Sequence, residues 1–403
     1  MRRGVTLPPG LRAEAQVAFA QRARHEGADL LELRSDLYEA SEAAPRELAA
    51  ILPLLVAERG RPLDPSWVSV AVEVDRELGF AGTATVRSLH AAVPLSTAEA
   101  LAAWAGTEPG VQLKHIEPLG DLASAGRLLA TQAALTARFG AGRVTVLATG
   151  RVALPFRAVL AAQNALDYLA LEGSWAAAPG QRLLVDAVRA GSTTAARRGI
   201  LGADIGHSRS PRIHRQPFDR LDLPSDTPIG PLLAALHPYY RGFAVTSPFK
   251  QAAAQAVGAS LPAVNTLIRQ PSGWTWANTD VQGAAAVLRR LGARRVTVLG
   301  DGGATGALRQ AAQNRALTVV CRADVSGPLT GDIVWTWPAA VPPPAALRFR
   351  SARVAIVAYG LPGRRIADAV RRLGGMPVQL GACWFIAQAR AQRRLWDEAK
   401  VAG

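Results

Sequence analysis

GVQLKHIEPLGDLASAGRLLATQAALTARFGAGRVTVLATG, residues 110–150, reads as a strand, a helix and a second strand, and that reading decides the architecture. VQLKHIE is a short apolar run, DLASAGRLLATQAALTARFG places apolar residues at helical spacing, and RVTVLATG returns to the strand pattern. Strands joined through a helix are parallel. The same alternation extends upstream. AEAQVAFAQRARHEGA reads as a helix, ADLLELRSDL as a strand, RELAAIL as a helix and LPLLVAE as a strand. WVSVAVEVD and TATVRSLH read as strands and STAEALAAWAG as a helix. Such alternation predicts a parallel sheet closed or covered by helices. In a closed (β/α)8 barrel, chemistry belongs at the C-terminal ends of the strands. Glu32, Arg34, Arg59, His90 and Lys114 each lie at or near such an end.

The chain has 403 residues, more than one hydrophobic core usually serves, so two or three domains are expected. Apolar residues make up 49% and charged residues 19%, which sets wholesale disorder aside. Cys321 and Cys383 are the two cysteines, and no CxxC or Cys/His cluster offers zinc its spacing. No metal is expected. The N-terminus MRRGVTLPPGLRAEAQ lacks the apolar run of a signal peptide, and no apolar stretch is long enough to span a bilayer. A cytoplasmic protein is the expectation.

The net charge of +15 is unevenly placed. Residues 1–190 hold 19 basic and 20 acidic residues, whereas residues 191–403 hold 27 and 11. A basic half attracts DNA, a phosphorylated cofactor or a carboxylate substrate equally well. Its arginines are scattered, and no zinc finger, basic zipper or RNA-binding signature accompanies them, so no nucleic-acid partner is expected. Of 46 basic residues, only Lys114, Lys250 and Lys400 are lysines. Arginine cannot readily form an imine or release a proton near neutrality, while a desolvated lysine does both. Lys400 belongs to the tail. The other two either mark positions where reactivity, not charge alone, is demanded, or are solvated charges; rarity alone does not separate the two readings.

ELRSD at residues 32–36, the SLH ending one strand, VQLK on the next, PFR at 155–157 and APGQ at 178–181 together resemble type I 3-dehydroquinate dehydratase across residues 1–190. The resemblance implies that Lys114 forms a Schiff base with the substrate ketone. It makes His90 the group that takes the neighbouring carbon-bound proton and returns one to the departing hydroxyl. An iminium acidifies that C–H, and a neutral imidazole serves as base and then acid. Glu32 would orient His90 or polar substrate groups. Arg34, Arg59 and Arg157 would bind the carboxylate and hydroxyls, with Gln181 closing over them. Two departures stand out: GRPLDP follows Arg59 in place of an acidic-Gly-Gly stretch, and Ala177 replaces the serine four residues before Gln181. The segment is also short for the family, which implies trimmed loops or a lost helix.

After the small, basic stretch AVRAGSTTAARR, the second half opens with GILGADIGHSRSPRIH, then GFAVTSPFK, AVNTLIR and GWTWANTDVQGAAAVL. In this order they resemble shikimate dehydrogenase, matching its HSxSP, VTxPxK, VNT and NTDxxG signatures over residues 199–400. By that resemblance Ser208, Ser210 and Thr246 hold the substrate carboxylate. Asn265 and Asp280 bind ring hydroxyls with Lys250, and Tyr359 and Gln388 reach the substrate. Lys250 and Asp280 form the pair that moves the proton, as a partly desolvated lysine beside a carboxylate is suited to do. On local pattern alone, Asp280 and Ser210 also suit helix caps. ARRVTVLGDGGATGALRQAA is strand, glycine turn and helix, so Gly300, Gly302, Gly303 and the following Ala304 suit a pyrophosphate at a helix N-terminus. At the end of the next strand, LTVVCRAD, Cys321 and Arg322 stand where NAD enzymes place an acid, which favours NADP. Asp301 inside the turn and Ala244 before Val-Thr depart from the family pattern.

The expected architecture is therefore α/β: a TIM-type barrel, whole or trimmed, over 1–190 and a linker over 191–198. A catalytic lobe over 199–283 plus 375–403 and a Rossmann dinucleotide-binding lobe over 284–374 complete it. The resemblances imply a bifunctional enzyme that dehydrates 3-dehydroquinate and reduces the product to shikimate with NADPH. The alternatives are a shikimate or quinate dehydrogenase carrying an inactive barrel, and a ligand-sensing regulator built from degenerate copies. The expected partners are small molecules and not a membrane, with a homo-oligomer left open, as is substrate channelling.

Overall fold

Short strands separated by helices run parallel here because each crossover returns the chain to the same end of the sheet. The structure is a computed structural model that describes residues 1–122, 124–150, 152–178, 180–191, 197–214 and 217–399. It divides into two units, Met1–Phe249 and Lys250–Gly403.

The first unit begins with β1 (Arg2–Thr6), α1 (Ala13–Glu26), β2 (Leu30–Arg34), α2 (Pro45–Ala49), β3 (Leu54–Ala57), α3 (Pro65–Val68) and β4 (Glu73–Glu77). It continues with β5 (Val86–His90), α4 (Thr97–Ala103), β6 (Gln112–Pro118), α5 (Ser124–Phe139), β7 (Val144–Thr149), α6 (Leu154–Leu160) and β8 (Leu166–Ala170). These strands lie in chain order, and β8 returns to pair with β1. The remaining seam, β7 to β8, is closed largely by side chains. Asn164 accepts from Val146 N at 2.9 Å and donates to Val146 O at 3.0 Å, and Thr145 Oγ1 accepts from Leu166 N at 3.1 Å. The barrel is thus closed and trimmed: β4 and β5 are joined by Leu78–Thr85 with no helix between them. Strand alternation sorts the core. Leu31, Leu33, Leu54 and Val56 face the helices with Phe19, Leu48 and Trp67, whereas Leu30, Leu55, Val86, Leu147 and Leu166 meet inside.

The expectation of one strand over WVSVAVEVD is corrected. Pro65–Val68 is a helical turn, because Pro65 sits at its first position and Asp64 caps it by accepting from Ser66 N at 2.8 Å; the strand begins only at Glu73. The first and eighth strands, RRGVT and LDYLA, were missing from the alternation read above. Each is short, and each carries a polar residue on the strand.

Past β8, β9 (Arg182–Leu183) and α7 (Leu184–Ala190) close the barrel end. Of the segment 191–198 expected as a linker, 192–196 lie outside the described residues, as does Lys400; Arg197 and Arg198 are the buried start of β10 (Arg197–Gly202). Then come α8 (Ser210–His214), β11 (Phe218–Asp222), α9 (Ile229–Leu236) and β12 (Tyr240–Val245), with β10 parallel to β11 on one side and β12 on the other.

The second unit holds α10 (Lys250–Ala256), the antiparallel hairpin β13 (Thr266–Gln270) and β14 (Gly273–Ala277), and α11 (Asp280–Leu291). A parallel sheet follows from β15 (Arg295–Leu299), α12 (Gly303–Ala311), β16 (Ala316–Val320), β17 (Pro328–Trp335), β18 (Arg348–Ile356), α13 (Gly360–Arg372) and β19 (Met376–Gln379), and α14 (Gly381–Glu398) ends the described chain. The order β16-β15-β17-β18-β19 reverses direction at β15. Doubly wound sheets bind ligands outside the strand ends at that switch point.

Candidate active sites

Four even-numbered barrel strands each send one inward side chain to a common level: Glu32 from β2, Asp75 from β4, Lys114 from β6 and Tyr168 from β8. Such layers of four, contributed by alternate strands, fill closed barrels and are normally apolar. Here the layer is polar. Lys114 Nζ donates to Glu32 Oε1 and Asp75 Oδ2, each at 3.0 Å, and lies 3.7 Å from the centre of the Tyr168 ring. Lys114 is 4% exposed. Burial lowers its pKa, and the two carboxylates offset only part of that effect. Burial acts to raise the Asp75 carboxyl, but Lys114 and Arg59 outweigh it and hold it at about 2. Glu32 is shifted down too: burial opposes ionisation, and Lys114, Arg34 and Arg59 overcome it.

Arg59 reaches this layer from the loop after β3, giving Asp75 a 2.7 Å bond and Ser88 a 2.9 Å bond. Gln181 donates to Thr6 Oγ1 at 3.3 Å, and Thr6 in turn donates to Glu32 at 2.6 Å, so Gln181 joins the Lys114 cluster through one hydroxyl. His90 stands at the mouth with 40% of its side chain exposed, its Nε2 3.8 Å from Glu77 Oε1. Even so, its pKa is lowered to about 3, first by desolvation and then by the positive charges of Arg59 and Lys114. It is a neutral imidazole near pH 7. Glu32 bonds Lys114 and Thr6, and the acid beside His90 is Glu77. Arg34 is paired with Asp36 at 2.6 Å, and Arg157 is buried with its guanidinium on the carbonyl of Tyr168 at 3.2 Å.

Asp75, Glu77 and Tyr168 were not among the candidates drawn from sequence. The acids carried a signal: in EVDRE, residues 73–77, acidic side chains recur with the strand period.

Elsewhere in the first unit, Ser208 and Ser210 are buried in the loop after β10, where Ser208 Oγ accepts from Ser210 N at 3.3 Å, and Thr246 is half-buried at the end of β12.

In the second unit Lys250 donates to Asp280 Oδ2 at 2.7 Å, and the indole of Trp384 donates to Asp280 Oδ1 at 3.3 Å. Asp280 is the first residue of α11, whose N-cap is Thr279. Asn265 accepts from Thr279 N at 2.8 Å and from the Thr266 hydroxyl at 2.9 Å, leaving its buried Nδ2 without a partner. A cavity of about 360 Å³ is lined by Lys250, Asn265, Asp280, Gly302, Gly303 and Arg309, among others, so the Lys250–Asp280 pair and the glycine turn open onto one space. Tyr359, at the N-cap of α13, has its ring 5.0 Å from that of Phe385, and Gln388 is half-buried on α14; neither lines that cavity. Trp384, which orients Asp280, was also not foreseen.

The glycine turn fits a pyrophosphate. Gly300 has φ 123, and a Cβ there would lie 2.5 Å from the Thr336 hydroxyl. Gly302 and Gly303 face open space at the start of α12, where unpaired N–H groups favour an anion. Asp301 pairs with Arg309 at 3.1 Å, which tempers its charge beside that anion site. Ala304 is half-buried in the first turn. The Arg322 guanidinium lies 5.2 Å from the Trp337 ring centre, with its Nη1 buried and unpartnered. Among the described residues no group of His, Cys, Asp and Glu is arranged to hold a metal, and no helix is long and apolar enough to cross a membrane.

Fold and sites together define an α/β chain that couples a lysine-bearing barrel to a dinucleotide-type sheet. No family model matches it. The chain is 34% identical over 134 residues to the shikimate dehydrogenase (NADP(+)) of Bordetella petrii, covering 28% of this chain and 47% of that protein. It is 30% identical over 193 residues to the chloroplastic bifunctional 3-dehydroquinate dehydratase/shikimate dehydrogenase of Arabidopsis thaliana, covering 38% of this chain and 32% of that protein. In both alignments the chain spans less than half of the relative's length. Among solved structures, the dehydroquinate dehydratase and shikimate dehydrogenase from S. pombe AroM matches 98% of this chain and 95% of its own, at 17% identity and a TM-score of 0.38. The shikimate 5-dehydrogenase of Thermus thermophilus in complex with NADP(H) and shikimate matches 50% of this chain and 92% of its own, at 22% identity and a TM-score of 0.42.

Proposed function

We propose that the chain is a bifunctional enzyme of the shikimate pathway, with a dehydratase barrel over 1–190 and an NADPH-dependent reductase over 199–403. In this reading 191–198 links them, 199–283 plus 375–403 bind the substrate, and 284–374 bind the dinucleotide. The observation that carries it is the placement of the two scarce lysines, Lys114 buried between two carboxylates and Lys250 at 2.7 Å from Asp280 in the cavity shared with the glycine turn. It works in the cytoplasm on small molecules, without a metal, nucleic acid or membrane partner.

In the barrel, Lys114 attacks the ketone of 3-dehydroquinate as the free amine, and the proton it gives up is relayed to the carbinolamine oxygen. That oxygen leaves as water and an iminium remains, whose positive charge the ionised Glu32 and Asp75 carboxylates balance. Neutral His90 removes the proton beside the iminium carbon, the electron pair expels the hydroxyl, and the same imidazole returns the proton to it as water. Hydrolysis then frees 3-dehydroshikimate and Lys114. Arg34, Arg59, Arg157 and Gln181 bind the substrate's polar groups.

In the second half Ser208, Ser210 and Thr246 take the carboxylate, and Asn265, Tyr359 and Gln388 the hydroxyls. Gly300, Gly302, Gly303, Ala304 and Arg322 hold NADPH, which supplies a hydride when bound. Lys250 donates a proton to the carbonyl oxygen as charge develops there, and Asp280, fixed by Trp384, keeps that ammonium aimed.

The test is to supply 3-dehydroquinate with NADPH or NADH and follow shikimate. The expected result is shikimate, formed faster with NADPH. Lys114→Ala stops dehydration of 3-dehydroquinate but not reduction of 3-dehydroshikimate, and Lys250→Ala stops reduction but not dehydration. Reduction without any dehydration would establish the inactive-barrel reading instead, and neither activity would refute the proposal.

A further inference from the structure

A cavity of about 830 Å³ lies apart from the Lys114 and Lys250 clusters. Its lining includes Gln181, Arg182, Asp186, Gly206, Asp219 and Arg220, so it lies where the barrel's closing segment meets the β10–β11 layer of the same unit. Charged side chains cross this junction at two places, and both crossings start from consecutive residues of β11.

At the first, Arg182 donates to Asp167 of β8 at 2.9 Å and reaches Asp219 at 3.5 Å. Asp219 also accepts from Arg197 at 2.8 Å and from the Tyr240 hydroxyl at 3.0 Å. Arg182, Asp167, Asp219 and Arg197 are all at most 5% exposed. Buried charges so fully paired hold one geometry, since any displacement strands a desolvated ion. Arg182 directly follows Gln181, whose amide reaches Thr6 and through it Glu32 and Lys114. At the second crossing, Arg220 donates to Asp186 of α7 at 3.3 Å and also to the carbonyl of Gly206, two residues before Ser208.

We propose that Asp219 and Arg220 are positioning residues shared by the two sites: Asp219, through Arg182, fixes Gln181 at the barrel mouth, and Arg220, through Gly206, fixes the loop carrying Ser208 and Ser210. The assignment of Gln181 and the serines to substrate rests on the function proposed above. One strand then sets two substrate-binding segments that belong to different chemistries. A barrel cut away before β10 loses the anchor of its own closing residue.

The test uses the full chain, with Asp219→Asn, which keeps shape but removes charge, and Arg220→Gln. For each, KM and kcat are measured separately for dehydration and for reduction, and backbone hydrogen exchange is followed in Gly173–Ala178 and Ala203–Ser210. Asp219→Asn is expected to raise KM for 3-dehydroquinate about tenfold with kcat within about twofold, because loss of a positioned binding group weakens binding more than chemistry. Exchange speeds up in Gly173–Ala178, where Gln181 Oε1 accepts from Ala177 N at 2.8 Å. Arg220→Gln does the same to KM for 3-dehydroshikimate and to exchange in Ala203–Ser210. Unchanged exchange in both segments overturns the proposal, as does an equal fall of kcat in both activities that tracks a lowered Tm. If the wild type catalyses neither step, the proposed function fails and exchange alone decides the anchoring. Should Asp219→Asn not fold, Asp186→Asn cuts the second crossing from the barrel side. Accelerated exchange in Ala203–Ser210 then supports the proposal, and no change refutes it.

Discussion

Replacing Gly283 by alanine adds one methyl group at the point where α11 meets α14. A Cβ there would lie 2.7 Å from Trp384 Cδ1 and 2.8 Å from its Cγ and Nε1, well inside contact distance. The indole is rigid and 7% exposed, so it has to move as a body by several tenths of an ångström. Overpacking of this kind costs about 1–3 kcal/mol. Moving the ring also strains the 3.3 Å bond from Trp384 to Asp280, and a hydrogen bond to a charged group is worth about 1.5–3 kcal/mol. Alanine returns up to about 1 kcal/mol of helix propensity. The net expectation is a loss of about 2–4 kcal/mol, read by urea titration of the full chain followed by tryptophan emission. Reduction slows roughly tenfold or more, because Asp280 is no longer held against Lys250, while dehydration is untouched. A variant as stable as the wild type, or stabilised by the propensity term alone, with unchanged reduction, would refute the link from Gly283 through Trp384 to Asp280.

Three further outcomes follow from the barrel. His90, held near 3, stays neutral from pH 7 down to about pH 4, so dehydration has no acid limb near pH 6.5; His90→Ala lowers kcat by about 10²–10⁴-fold, and a limb near 6.5 lost in that variant would contradict the assignment. Asp75 is more acidic folded, at about 2, than its ordinary 3.8, so its contribution of about 2 kcal/mol is present above pH 4 and lost as pH falls toward 2. The stability gap between wild type and Asp75→Asn is therefore widest above pH 4 and shrinks below it, as acid titration of unfolding would show. Asn164→Ala leaves both the N–H and C=O of Val146 unpaired at the β7–β8 seam and costs about 2–4 kcal/mol in the same urea assay.

The sequence made most of this fold legible, for identifiable reasons. VQLKHIE, RVTVLATG and the helix between them have the periodicity of their final structures, and the glycine turn lies between strand and helix as its pattern implied. RRGVT and LDYLA escaped because a strand of five residues with charged members looks like loop until its neighbours are known. WVSV escaped because its β-branched residues outweigh, locally, an Asp-Pro start signal that the structure obeys. Lys114, Lys250 and Asp280 were visible through rarity and motif. Asp75, Tyr168 and Trp384 were not, since their roles arise from register and packing: Asp75 and Tyr168 share a barrel layer with Lys114, and Trp384 reaches Asp280 across more than a hundred residues of chain.

The central claim is that Lys114 is a nucleophile and not a structural ion. It is tested most directly by borohydride reduction of the full chain in the presence of 3-dehydroquinate, followed by peptide mass analysis. A stable adduct is expected on the peptide containing Lys114, absent without substrate and absent from Lys114→Arg. Dehydration that proceeds with no adduct there, or an adduct on Lys250 instead, would contradict it.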